Sequence, residues 1–234
     1  MAVGGLTSFG FSEIALNKDI DVLRKAAENV VKVEKSFLKF TGSSGYMSKG
    51  LQETAVAHIK SAIATNGGNL TGYSNPYRTD PVWEKMKAKE KLMGAPYMAT
   101  GSLLNSIKVL NRRSSGGRFT TVGIDQKLTV PKLGSRAQKT TSNVSVAAYA
   151  YDLEFGTTSG KPRLLITTAM ADFIYKIAGP MAKDLVADYA KGAWSQVKSD
   201  DKLAAMKIIR EHMVANGIRS EDTTEALSRI SGAS

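Results

Sequence analysis

Residues 149–158 read Tyr149-Ala150-Tyr151-Asp152-Leu153-Glu154-Phe155-Gly156-Thr157-Thr158, and Ser159-Gly160-Lys161-Pro162-Arg163-Leu164-Leu165 follows. A run of β-type residues, Val144-Ser145-Val146-Ala147-Ala148-Tyr149, leads into this stretch. The longest helical pattern of the chain leaves it. Its reading therefore decides how sheet joins helix. Gly156 and Gly160 bracket the turn, and glycine takes positive φ at least cost. Pro162 has a fixed φ and no N–H, which suits the first turn of the helix that follows. Glu154 stands between Leu153 and Phe155, so on a strand it faces away from both. Two readings of it stay open. It is a solvated acid, or it pairs with Lys161 or Arg163 across the turn.

Downstream, apolar residues fall at Leu165, Ala169, Phe173, Ile177, Met181, Leu185 and Tyr189. This four-residue spacing predicts a long helix to about Lys198, with one face on the sheet. Pro180 cannot donate to the Lys176 carbonyl and is expected to kink or split that helix. Residues 200–215 and 221–231 predict a helical hairpin, with Gly217 as a stop and Ser220 as a cap.

Upstream, Ile107–Leu110 and Phe119–Ile124 read as a strand pair joined by a turn over Asn111–Gly117, and 144–149 reads as a third strand. Thr100-Gly101-Ser102-Leu103-Leu104-Asn105-Ser106-Ile107 begins as a turn or a single helical turn and passes into the first strand. Residues 126–143 read as a long polar loop. Helices are predicted over 18–40, capped by Asn17 or Asp19 and ended by Gly42, and over 48–65, capped by Ser48 and stopped by Gly67-Gly68. A loop over 66–80 and a short basic helix from Asp80-Pro81 to Met93 lie between the second helix and the strands.

The expected fold is α+β. A small antiparallel sheet of three or four strands is packed by a long C-terminal helix and N-terminal helices, with long polar loops. The expected organisation is an N-terminal arm (1–17), a core (18–198) with an insertion at 66–95, and a C-terminal helical extension (199–234).

Composition narrows the function classes. The 234 residues carry 32 Lys and Arg against 21 Asp and Glu, a net charge of +11, which calls for an anionic partner or an acidic surface. The excess is local. Residues 108–139 hold Lys108, Arg112, Arg113, Arg118, Lys127, Lys132, Arg136 and Lys139 against Asp125 alone. Residues 199–234 hold five basic and six acidic residues. With no cysteine, disulfides and thiolate metal sites are excluded. No run of 18 apolar residues suggests a membrane span. Met1–Thr7 lacks the features of a signal peptide, so an intracellular protein is expected. His58 and His212 lie in separate helical patterns, which disfavours zinc. Gly45-Tyr46-Met47-Ser48-Lys49-Gly50 falls short of a phosphate loop, because Lys49 precedes the final glycine and Leu51 replaces the hydroxyl residue. No nucleophile elbow is present. No catalytic residue, cofactor or metal is expected. Aromatic interleaving is missing from 125–143, so any nucleic-acid contact there is to phosphate, without sequence reading.

Two segments carry a resemblance. Thr100-Gly101-Ser102-Leu103-Leu104-Asn105-Ser106-Ile107 resembles the Thr-Gly-x-Leu-x-x-Ser-Ile segment of the tail-completion (neck, or head–tail joining) proteins of tailed bacteriophages, a minor-tail-protein-like family. Tyr149 to Thr157 resembles their Tyr-Ala-x-x-x-Glu-Phe-Gly-Thr segment. Pro162 falls within the family's Arg-Pro-Phe-Leu, but Arg163 stands where an aromatic is usual. The likeness covers roughly 18–195; the 66–95 insertion and the C-terminal extension depart from it. It implies a non-enzymatic virion protein, made in the host cytoplasm, that forms a homo-oligomeric ring of about six copies. Such a ring joins the head connector on the portal side to the tail tube or terminator, and DNA passes through its lumen. Thr100, Gly101, Leu103, Ser106, Ile107, Tyr149, Glu154, Phe155, Gly156, Thr157 and Pro162 then carry the structural motif. Arg112, Arg113, Arg118, Lys127, Lys132, Arg136 and Lys139 are candidates for contact with DNA or a partner protein. A stand-alone, sequence-independent nucleic-acid-binding protein is the alternative.

Overall fold

The computed structural model describes residues 24–25, 27–32, 34–35, 37, 40, 45–73, 85, 101–114, 117–133, 139–156, 161–195 and 201–232. The expectations for the 1–17 arm, the caps at Asn17 and Asp19, the stop at Gly42, and Thr100, Arg136, Thr157 and Gly160 lie outside them. So does the 80–93 helix, apart from position 85, which is helical.

Helix α1 spans Tyr46–Ala64, and the chain packs around it. Every residue from Thr54 to Ile63 is buried, so α1 has no solvent face over that stretch. Its small side chains, Ala55, Ala57, Ser61 and Ala62, admit neighbours on several sides, while Ile59 and Ile63 fill the spaces between them. Full burial of such an isoleucine contributes about 1.5–3 kcal/mol. The helix starts earlier than expected: Gly45, in an extended conformation, is its N-cap and accepts the Lys49 N–H at 2.9 Å, leaving Ser48 inside the first turn. The stop at Gly67 stands. Its φ is +78°, its N–H reaches the Ala62 carbonyl at 2.7 Å, and a Cβ there would lie 2.1 Å from the Tyr73 ring.

Helix α2 (Ser102–Ser106) runs straight into strand β1 (Ile107–Ser114), which pairs antiparallel with β2 (Gly117–Ile124). The strands extend well past the expected turn at Asn111, with Ser114 opposite Gly117. A second antiparallel pair, β3 (Thr129–Leu133) with β4 (Lys139–Ser145), occupies most of the span read as a polar loop. Its threonines and Val130 favour extended backbone, and a register irregularity lies between Pro131 and Leu133. The four strands thus form two separate ribbons in an α+β fold.

The expected third strand ends at Ser145. Residues Val146–Phe155 form helix α3. Val146, Ala150 and Glu154 are its buried positions, four apart and on one face, and Ala147, Ala148 and Ala150 favour helix.

After a non-helical link over 161–164, helix α4 (Leu165–Asp172) passes through a π-helical segment (Phe173–Ala178) into α5 (Gly179–Ser195). The widened turns lie immediately before Gly179-Pro180, where the missing N–H leaves the Lys176 carbonyl without its α-helical donor. The stripe read from spacing is the buried face: Leu165, Ala169, Phe173, Ile177, Met181 and Leu185. Helix α1 lies against the β1–β2 ribbon, and the long helix joins it there, with Leu165 and Ala169 in the same apolar cluster as Ile107. Helices α6 (Asp201–Ala215) and α7 (Ser220–Ser231) form the expected hairpin. Arg219, not Ser220, is the N-cap of α7, and Gly217 with φ +66° ends α6. Ile209, Met213, Ile218 and Ile230 of this hairpin share one apolar cluster with Ala55 and Ala57 of α1 and Ile177, Met181 and Leu185.

His58 is fully buried within α1. Its Nε2 lies 3.2 Å from Asp172 Oδ2, at angles short of a hydrogen bond, and Asp172 also meets Lys176. Burial holds the imidazole below its ordinary value of 6.5, with Asp172 opposing and Lys176 reinforcing the shift. The unfolded chain therefore binds the proton first as pH falls. The corresponding stability is present above about pH 6.5 and is lost as pH drops through the window beneath it. Urea unfolding at pH 7.5 and pH 5 is expected to show this loss in the parent chain and a smaller one in His58→Gln. Equal losses in the two proteins would remove His58 as the cause.

Candidate functional site

The two motif segments meet. Helix α2 packs against α3, and Leu103, Ile107, Val146, Ala150, Leu165 and Ala169 share one apolar cluster. Gly101, with φ +72°, is the left-handed N-cap of α2. Ser106 is buried: its hydroxyl donates to the Leu103 carbonyl at 2.7 Å, and its own carbonyl accepts the Asp125 N–H at 3.0 Å. The α2–β1 corner is thereby tied to the end of β2. Tyr149 is half-buried, and burial raises its phenol above the ordinary value.

Glu154 is the centre of this joint. It is 4% exposed, which removes the solvated reading. Its carboxylate accepts the Ile166 N–H at 2.8 Å and the Thr167 N–H at 3.0 Å, the second and third amides of α4. Leu164, the N-cap of α4, sits at φ +50° with no side-chain cap of its own. Glu154 thus caps a helix from eleven positions upstream of its first residue. The negative charge also suits the positive end of the helix. The Glu154 carbonyl accepts the Arg163 N–H at 3.1 Å and the Leu164 N–H at 3.2 Å. The Tyr73 hydroxyl donates to the Arg163 carbonyl at 3.0 Å, which draws the start of the 66–95 segment into the joint. Pro162 lies in the link ahead of the N-cap, not in the first helical turn, because the cap comes from Glu154 and the helix begins at Leu165.

Gly156 has φ +83° and ψ 172°, a combination that essentially only glycine adopts. Gly156→Val is expected to cost about 2 kcal/mol; an unchanged melting temperature would refute this. Phe155 and Tyr151 point the other way. They are 51% and 63% exposed, with ring centroids 4.8 Å apart.

The basic candidates sit on the two ribbons. Arg112 and Arg113 are on β1, Arg118 is on β2, and the register sets Arg113 opposite Arg118. Lys132 is on β3, and Lys139 on β4 faces Leu133 in register. Lys127 lies exposed in the connection between the ribbons, its N–H on Asp125 Oδ1 at 3.1 Å. At the base of the first ribbon Lys108 meets Asp125 at 2.6 Å; that hydrogen bond holds the carboxyl below its ordinary value. The described motif residues therefore gather at one joint, while the described cations belong to the two ribbons and the connection between them. Among the described residues no group of three His, Cys, Asp or Glu is placed to hold a metal ion, and no helix is long and apolar enough to cross a membrane. Sequence reasoning did not find the capping role of Glu154 or the Tyr73 contact. A Glu followed twelve and thirteen residues later by the first turn of a helix has no short-range signature.

Comparison with protein-family models, with curated proteins and with solved structures finds no match to this chain.

Proposed function

We propose that this chain is a structural protein of a tailed-phage virion, forming a ring of about six copies in the neck between head connector and tail. The observation that supports it most is the joint itself. The two segments that resemble the tail-completion family are far apart in sequence yet pack together, and their distinctive residues, Gly101, Ser106, Glu154 and Gly156, each do a backbone-level job there. A joint of this kind sets element geometry rather than chemistry, as a subunit of an assembly requires. The net charge of +11 suits a lumen through which DNA slides, held by screened, sequence-independent phosphate contacts. Lys127, Lys132 and Lys139, on and beside the second ribbon, and Arg136, which lies outside the described residues, are the cations assigned to that contact. The head connector on one side and the tail tube or terminator on the other are the protein partners.

Light scattering on the purified chain, alongside mass spectrometry of purified virions, tests the reading. The expected results are a species near six times the 25.1 kDa chain mass and the chain's presence in particles. A strict monomer excluded from particles would overturn it.

A further inference from the structure

The helical segment around Val30 covers nothing in its own copy. At every described position from 24 to 37 the backbone is helical and the side chain is exposed, Val30 at 66%. Its far end is held. Phe40 is buried and stacked on Tyr189 of α5 with ring centroids 4.8 Å apart, and Phe37 meets the same ring at 5.8 Å. Ala27, Val30, Val31 and Glu34 stand at i, i+3, i+4 and i+7, so they share one face, while Lys25, Glu28, Lys32 and Lys35 fall on the others. Glu34 is the one charge within the apolar face, and among the described residues no cation pairs with it.

The α6–α7 hairpin carries an open groove of about 480 Å³. Helix α6 buries Ala205, Ile209 and Met213 in the core and turns Met206, Arg210 and Val214 to this groove. Thr223, Leu227 and Ser231 of α7 line its other wall, where short hydroxyl side chains let a third helix approach to packing distance. Leu203, 63% exposed, extends the α6 stripe by one turn, and Val214 is 62% exposed. Arg210 is the only charged residue lining the groove, and among the described residues no carboxylate pairs with it.

Each stripe is thus apolar with a single charge at its centre, and the two charges are opposite. Helices that lie in grooves do so through an i, i+3, i+4, i+7 set of this kind. An ion pair enclosed by apolar contacts fixes the register and rejects other partners. We propose that the 24–37 helix of one copy lies in the α6–α7 groove of a second copy, with Glu34 on Arg210. A second copy is the occupant because one chain carries both halves and leaves both uncovered: pinned to Tyr189, the helix leaves its own copy's groove open. The contact joins two different patches, so it repeats head to tail and closes into a ring where the rotation permits. It rests on the ring reading above and gives that ring its subunit contact.

The test uses the full-length chain in analytical ultracentrifugation. Glu34→Arg and Arg210→Glu each set like charges against one another across the contact. Each is expected to weaken self-association at least tenfold. Both residues are exposed in the single copy, so melting temperatures are expected to stay within about 2 °C of the parent. An equimolar mixture of the two variants restores an opposite pair at every contact, and so does the double variant Glu34→Arg/Arg210→Glu. Both are expected to assemble within about threefold of the parent. If the parent assembles and the single variants assemble equally well, the contact is overturned and the ring reading stands. If the double variant recovers while the mixture does not, the helix fills its own copy's groove and the second-copy contact is overturned. A parent that stays monomeric at every concentration also overturns the contact, and the ring reading then depends on the particle measurement alone.

Discussion

Glu154→Ala is expected to destabilise the protein by about 3 kcal/mol, which in a chain of this size lowers the melting temperature by about 6–12 °C. The carboxylate is 4% exposed and accepts two amide N–H groups at 2.8 and 3.0 Å. Hydrogen bonds to a charged group contribute about 1.5–3 kcal/mol each, and alanine leaves both donors without that partner. Losing an ordinary exposed cap costs about 1 kcal/mol, so burial makes this one larger. Part of the loss is offset, since the desolvation of a carboxylate disappears with it. Glu154→Gln keeps one carbonyl-type acceptor and is expected to lose about half as much. Differential scanning calorimetry on the three proteins measures the order parent, Gln, Ala. The effect is also expected to be local to the joint, with amide exchange accelerating first at Ile166 and Thr167. An alanine variant that melts within 2 °C of the parent would show that the carboxylate is not what holds α4 to α3.

The same residue shows how far sequence carries. Elements with a long, one-sided apolar period were legible: the stripe from Leu165 to Leu185, the α6–α7 hairpin, and the β1–β2 pair around Val109 and Val122. Val144 to Tyr149 was not, because a short apolar run satisfies strand and helix alike. What decided it was tertiary: Val146, Ala150 and Glu154 share one helical face against the core, and only Glu154's distant amide partners make that face tolerable for an acid. The β3–β4 ribbon was hidden for the opposite reason. Its threonines and lysines carry little apolar alternation, and Pro131 reads as a breaker although a strand accommodates it beside an irregularity. The central place of α1 was muted by its own residues. Thr54, His58, Lys60 and Ser61 interrupt the apolar pattern, yet all are buried. At the joint, the residues were visible but their jobs were not, since those depend on partners such as Tyr73 and Arg163, 90 positions apart.

The buried lysine on α1 leads to the second large effect. Lys60 is 5% exposed, and its Nζ meets both carboxylate oxygens of Glu225 on α7, at 2.8 and 2.9 Å. Glu225 also takes Arg229 at 2.5 Å, and Arg229 approaches Glu53 at 3.8 Å. Burial raises the Glu53 carboxyl, against the pull of Arg229. Burial pushes Glu225 the same way, but Lys60 and Arg229 outweigh it and hold that carboxyl below its ordinary value. Removing one partner of a buried pair costs about 3–5 kcal/mol, because the other charge is left without compensation. Glu225 is 41% exposed, so water recovers part of this, and Glu225→Ala is expected to cost about 2–3 kcal/mol. Replacing both partners, as in Lys60→Met/Glu225→Leu, removes the desolvation cost together with the attraction. That double variant is expected to lie within about 1 kcal/mol of the parent. The single variant thus unfolds at lower urea than the double one, the reverse of what adding independent losses would give. Urea midpoints for Glu225→Ala and for the double variant decide it. A double variant less stable than Glu225→Ala would mean that the pair contributes net stability to the α1–α7 contact, and the desolvation argument for Lys60 would fail.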